Sequence, residues 1–163
     1  MTLTQLLVPE SVLCNSDASS KKHAIEILSK LLVRCDDELV ADDVFCSLIE
    51  RERLGCTALE RGIAIPHARF DEATRPIGAF IKLAEAIEFD GTGDDPVDLI
   101  FGLIVPADAG DEAARDFAAI TRRFADPAFL ARLRAARSSR ELYEALTAAD
   151  VETAPRQAGA AGR

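Results

Sequence analysis

The sequence predicts an α/β sandwich, a central sheet covered by helices, and three observations carry that prediction. Apolar residues recur at helical spacing over residues 20–33, 41–53 and 111–124. Strand-sized apolar runs occupy 63–65, 77–84 and 97–105. No repeat or internal boundary separates the two kinds of segment, so the chain reads as one domain over 1–150 with a tail over 151–163. At 163 residues and 48% hydrophobic content it can bury a full core.

Residues 3–13 are short and mixed, and Pro9 breaks them. Ser19 or Ser20 can cap a helix to about residue 33, with Ala24, Ile27, Leu28, Leu31 and Leu32 as its core stripe. His23 falls off that stripe and is expected at the surface without a role. The helix over 41–53 has Val44, Phe45, Leu48 and Ile49 as its apolar face, and Gly55 is placed to end it. Ile63, Ala64 and Ile65, bounded by Gly62 and Pro66, read as a buried strand that Pro66 ends, since proline cannot donate a ladder hydrogen bond. A loop is expected over 68–76, a strand over 77–84, and a turn-rich connector over 90–96. The run 97–105 is apolar almost throughout, as suits a strand buried on both faces, and Pro106 stops it. Phe117, Ile120 and Phe124 form the core face of the helix over 111–124. Another helix follows at 128–136, and Ser138-x-x-Glu141 opens the last with a capping-box pattern. The tail is Ala/Gly-rich and without apolar period, so it is expected to be disordered.

Composition excludes several function classes. A net charge of −9 argues against nucleic-acid binding, which needs a basic footprint. No stretch is long and apolar enough for membrane insertion, and the N-terminus lacks a secretory signal pattern, so a soluble cytoplasmic component is expected. Cys14, Cys35, Cys46 and Cys56 form no CxxC pair, and with two histidines a metal site is not expected. No Walker-type glycine loop occurs, so neither direct use of ATP nor any cofactor is expected. Charge is uneven: residues 122–140 carry six arginines and one aspartate. That stretch is either a solvated face of two helices or a basic patch facing a partner. Asp36, Asp37, Glu38, Asp42 and Asp43 precede the helix that leads to Arg51, and suit either a helix start or steering of a basic partner.

His67 is the first candidate for chemistry. It follows Pro66 where a rigid strand opens onto a loop, a sensible mount for an imidazole that meets an external reactant. A partly buried histidine bonded to a neighbouring carbonyl fits the same residues. Arg51 is similarly open: a surface arginine complementing a helix dipole, or a guanidinium aimed at phosphate.

The stretch Glu50-Arg51-Glu52-Arg53-Leu54-Gly55-Cys56-Thr57, followed by Gly62-Ile63-Ala64-Ile65-Pro66-His67, closely resembles the histidine motif of the enzyme IIA family. These are the fructose- and mannitol-type components of the bacterial phosphoenolpyruvate phosphotransferase system. The resemblance extends to SKKHAIEIL (20–28), VDLIFGLIVPAD (97–108) and SSRELYEAL (138–146), and is strongest to the nitrogen-regulatory branch. It implies a mixed sheet of about five strands flanked by helices. It further implies that His67 accepts a phosphoryl group from an HPr-like phosphocarrier protein, with Arg51 beside the phosphoryl site. Where the family often has a second active-site histidine, an ungapped reading places Arg115. Cys56 stands where the family often has a small polar residue, and Ala58, Glu60 and Arg61 occupy a turn that is commonly Gly- and Asn-rich.

For the nitrogen-regulatory branch the resemblance implies that phosphorylation state controls target proteins, among them potassium-transport or sensor-kinase components. No independent small-molecule turnover is then expected. Two other readings remain open: a sugar-specific IIA component passing phosphate to a IIB domain, and a binding module that is no longer phosphorylated.

Overall fold

The computed structural model describes residues 1–89 and 95–153, with the backbone alone for 149–153. Chain order is α1 (Leu3–Leu6), β1 (Val12–Ser16), α2 (Lys21–Leu32), α3 (Ala41–Leu54), β2 (Ile63–Ala64), β3 (His67–Phe70), β4 (Ile77–Ile87), β5 (Val97–Pro106), α4 (Asp111–Phe124), α5 (Pro127–Ala135) and α6 (Ser139–Thr153). These build the expected mixed five-stranded sheet with flanking helices, in the order β1-β4-β5-β2, with β3 also on β5. β4 runs antiparallel to β5, whereas β2 and β3 run parallel along its other side.

The two faces of the sheet bury separate cores. Ala24, Ile25, Leu28, Leu31 and Leu32 of α2 and Val44 and Leu48 of α3 pack on Ala64, Ile81, Ile100 and Ile104. On the opposite face Phe80, Leu99, Phe101 and Leu103 meet α1, α4, α5 and α6. Phe124 anchors that layer, with ring centroids 5.8 Å from Phe80, 5.2 Å from Phe101 and 5.6 Å from Phe129. Each fully buried phenyl stabilises the fold by about 1.5–3 kcal/mol. α2 lies close against β5 because Gly102 has no side chain; a Cβ there would stand 2.6 Å from Leu28 Cδ2.

Local chemistry fixes the ends of several helices. Ser20 caps α2 by accepting the His23 N–H at 3.1 Å. At α6, Ser138 Oγ accepts the Glu141 N–H at 3.1 Å, but the Glu141 carboxylate takes the Arg137 N–H rather than that of Ser138.

Several expectations need correction. β1 lies where no strand was expected; only Val12 of it is fully buried, so it lacks an apolar alternation. His67 does not open onto a loop: it begins β3, and its Cα partner on β5 is Leu103. β2 does stop short of Pro66 as expected, but the Pro66 carbonyl accepts the Leu103 N–H at 3.0 Å and the chain resumes pairing with β5 as β3. Residues 68–70 of the expected loop are therefore strand. α6 continues to Thr153, three residues into the expected tail, and the rest of that tail lies outside the described residues. The same holds for residues 90–94 of the expected connector. Among the described residues no helix is long and apolar enough to cross a membrane.

Candidate functional site

β2 and β3 form the sheet edge beside β5, and there α3 from one layer approaches α4 from the other. Between them opens a cavity of about 700 Å³. α3 lines it with Ser47, Glu50, Arg51 and Leu54, spaced i, i+3, i+4 and i+7, which places them on one helical face. The core stripe of α3, Val44 and Leu48, is a different face. Ala113, Ala114 and Phe117 of α4 close the far wall.

His67 lies in the lining, half-buried. Its Nδ1 is 2.8 Å from the Ile65 carbonyl oxygen. A carbonyl can only accept, so Nδ1 carries the proton and the lone pair belongs to Nε2. The Phe117 ring packs against the imidazole, with centroids 4.4 Å apart and planes tilted by 40°. Burial pushes the His67 pKa below its ordinary 6.5, opposed by the Ile65 hydrogen bond, reinforced by the Arg51 charge and opposed again by Glu52. The imidazole is accordingly neutral at pH 7, as a nucleophile must be.

Arg51 lines the same cavity, and its Nη1 donates to the Gly55 carbonyl at 3.0 Å. One guanidinium nitrogen is thereby tethered, which limits where the planar group can go and leaves other donors for an anion. Leu54, 85% exposed, stands at the rim. Arg115 is exposed on α4 and outside the cavity lining; the α4 residues that reach the cavity are its neighbours Ala113, Ala114 and Phe117. The cavity thus brings His67 and Arg51 together and does not bring Arg115 to them.

Three features escaped the sequence reading. Arg69 lines the cavity two residues beyond His67, its Nη1 bonded to the carbonyls of Ala107 and Ala109. Strand alternation would have put it on the face of His67 had 67–70 been read as strand. Phe117 packs at the margin of the core, as its spacing indicates, and its ring also covers the imidazole. Glu52 continues the Val44–Leu48 stripe by one more step of four, and a carboxylate at a core position signals a buried partner. Its side chain is 4% exposed, with Lys21 Nζ at 3.0 Å. It also accepts the Thr57 N–H at 2.8 Å and the Thr57 hydroxyl at 2.7 Å.

The approach to His67 is also anchored at its turn. Arg61 and Gly62 are consecutive left-handed residues, at φ 70° and 81°. The Arg61 carbonyl accepts from Arg134, whose guanidinium grips Asp98 with Nη2–Oδ1 at 2.7 Å and Nε–Oδ2 at 3.0 Å. Residues 57–59 then fold back antiparallel along β2, with Leu59 N–H on the Ile63 carbonyl and Ile65 N–H on that of Thr57.

Comparison with known proteins agrees with this architecture. Residues 5–149 match the family model described as phosphoenolpyruvate-dependent sugar phosphotransferase system, EIIA 2. The nitrogen regulatory protein of Klebsiella oxytoca is 39% identical over 150 residues, 91% of this chain and 92% of that one. That of Escherichia coli K12 is 38% identical over 159 residues, 97% and 96% of the two chains. The crystal structure of nitrogen regulatory protein IIA-Ntr from Neisseria meningitidis superposes with a TM-score of 0.80 at 34% identity, covering 88% of this chain and 97% of that one. The chain belongs to the type-2 EIIA family of the phosphoenolpyruvate-dependent phosphotransferase system, and within it resembles the nitrogen regulatory proteins.

Proposed function

We propose that this chain is a regulatory phosphoryl carrier: His67 Nε2 accepts a phosphoryl group from the phosphohistidine of an HPr-like carrier protein. The observation that carries the reading is the Nδ1–H to Ile65 carbonyl hydrogen bond, which commits the lone pair to Nε2. That nitrogen attacks phosphorus in line with the donor's phosphorus–nitrogen bond. As the new bond forms, the electron pair of the old one returns to the donor imidazole. Positive charge develops on the His67 ring, and its hydrogen bond to Ile65 strengthens because the donor becomes ionic. Arg51 supplies fixed charge for the equatorial oxygens, and Arg69 is a second cation in the same cavity. Arg115, the residue at the usual second-histidine position, would have to swing in from the solvent face of α4 to add to them.

A protein donor suits this site. The cavity is wide and open, and an exposed leucine beside the cationic centre offers apolar contact that a small anion would not use. Phosphorylation would replace a neutral ring by a dianion in the middle of this surface, so the two forms would bind regulatory targets differently. Potassium-transport or sensor-kinase components are candidate targets, as the resemblance to the nitrogen-regulatory branch implies.

The test is incubation with the phosphorylated carrier protein, then intact mass and site mapping. One phosphoryl group on His67 is expected, and none on a folded His67→Ala protein. Stable phosphate on His23 or Cys56 instead would overturn the assignment. Onward transfer to a IIB domain and sugar would move the protein from regulation to transport.

A further inference from the structure

Glu52 is a buried charge that phosphoryl transfer, as described, does not use. A buried carboxylate persists only when its oxygens are occupied, and both of these are. Oε1 takes the Thr57 N–H and Lys21 Nζ, and Oε2 takes the Thr57 hydroxyl. Lys21 is itself held, its ammonium 4.7 Å from the Phe89 ring centroid. Thr57 is therefore gripped at two atoms by a group fixed from two helices.

Thr57 then passes this constraint to the reacting residue. Ile65 belongs to neither β2 nor β3, so its peptide groups lie outside the registers that those strands make with β5. Its N–H instead meets the Thr57 carbonyl at 3.0 Å, and its carbonyl meets His67 Nδ1 at 2.8 Å. On its other side Pro66 has no N–H to help. Lys21, Glu52 and Thr57 are all outside the cavity lining, so none of them touches an incoming phosphoryl group.

We propose that Glu52 is a positioning residue for phosphoryl transfer: through Thr57 it fixes the Ile65 carbonyl, which holds His67 as the Nδ1–H tautomer with Nε2 free to attack. The proposal rests on the reading of His67 as phosphoryl acceptor, but it also concerns the resting protein and can be tested there. A loosened Ile65 peptide would let the ring proton shift to Nε2, which removes the nucleophilic lone pair from the reacting side.

The experiment compares the parent with Glu52→Ala, Glu52→Gln and Thr57→Val. Ring ¹⁵N–¹H spectra of His67 without donor should show Nδ1–H alone in the parent and an added Nε2–H population in Glu52→Ala and Thr57→Val. With phosphorylated carrier protein, the maximal single-turnover rate should fall about tenfold in both, while the half-saturating donor concentration stays put. Glu52→Gln, whose amide oxygen can still accept the Thr57 N–H, should recover most of that rate. A folded Glu52→Ala or Thr57→Val protein with pure Nδ1–H tautomer and parental rate overturns the proposal. So does a change confined to donor affinity or melting temperature. Should Glu52→Ala not fold, Thr57→Val decides alone. If the parent takes no phosphoryl group, the acceptor reading fails, whereas the tautomer spectra still judge the role of Glu52.

Discussion

Two ion pairs hold the segment from Thr57 to His67, and they differ in nearly every physical respect. Arg134–Asp98 sits at the turn in its middle, with side chains 34% and 25% exposed, and fastens that left-handed turn by its Arg61 carbonyl. Lys21–Glu52 sits under the reacting end, the carboxylate 4% exposed, and fastens Thr57 through two hydrogen bonds. Water screens the first, so it adds modestly to stability and tolerates motion. Little water reaches the Glu52 carboxylate of the second, so its hydrogen bonds are directional and breaking them strands a charge. The pair at the turn secures the fold, and the pair under His67 aims a ring.

Substitutions at the two places should therefore separate function from stability. Arg51→Ala acts at the reacting end. Losing a charge-assisted hydrogen bond worth about 1.5–3 kcal/mol should slow single-turnover transfer about 10- to 100-fold. The melting temperature should stay near that of the parent, and weakened donor binding at unchanged maximal rate would move Arg51 to the docking surface. Gly62→Ala acts at the anchor. Its φ of 81° disfavours a side chain, and a Cβ would lie 2.9 Å from the Pro96 carbonyl oxygen, which cannot swing away. Denaturant unfolding should show a loss of about 2 kcal/mol, with transfer by the folded fraction unchanged.

Arg61→Gly should act in the opposite direction at the same anchor. A left-handed non-glycine residue costs about 1–2 kcal/mol, part of which returns as lost glycine entropy. A net gain of about 0.5–1 kcal/mol is expected, and a loss would mean that the Arg61 side chain contributes more than its backbone costs. The smallest effect is expected from Arg115→Ala. Exposed and outside the lining, it should leave the transfer rate within about threefold of the parent, less than one charged hydrogen bond would produce. A larger drop would show that Arg115 swings into the cavity during transfer.

These contrasts also explain what the sequence could and could not reveal. α4 runs over Asp111–Phe124 as its apolar period indicates, and the bounds of α2 and α3 differ from expectation by about one residue. β5 is equally legible, since both its faces are covered. β3 is not: its four residues pair on one side only and mix His67 and Arg69 with Ala68 and Phe70, which resembles a loop. At the site, His67 and Arg51 came from a motif, and Arg69 was lost with the strand that carries it. Arg115 shows the limit of positional matching, because one step along a helix turns a side chain by 100°. Glu52 was readable in principle, as a charge on a core stripe, but Lys21 and Thr57 become its partners only once α2 and the turn after α3 are placed.

The break at Ile65–Pro66 has a consequence for how the molecule keeps to itself. Exposed strand edges are templates on which other chains add, and long flat ones seed aggregation. Here β2 is two residues long, and its outer side is occupied by residues 57–59. Proline then removes a donor, and β3 offers four residues that include a charged Arg69. A foreign strand would find no continuous ladder to extend. The surface on which the proposed carrier protein would land is thus kept from capturing whatever else approaches it in extended form.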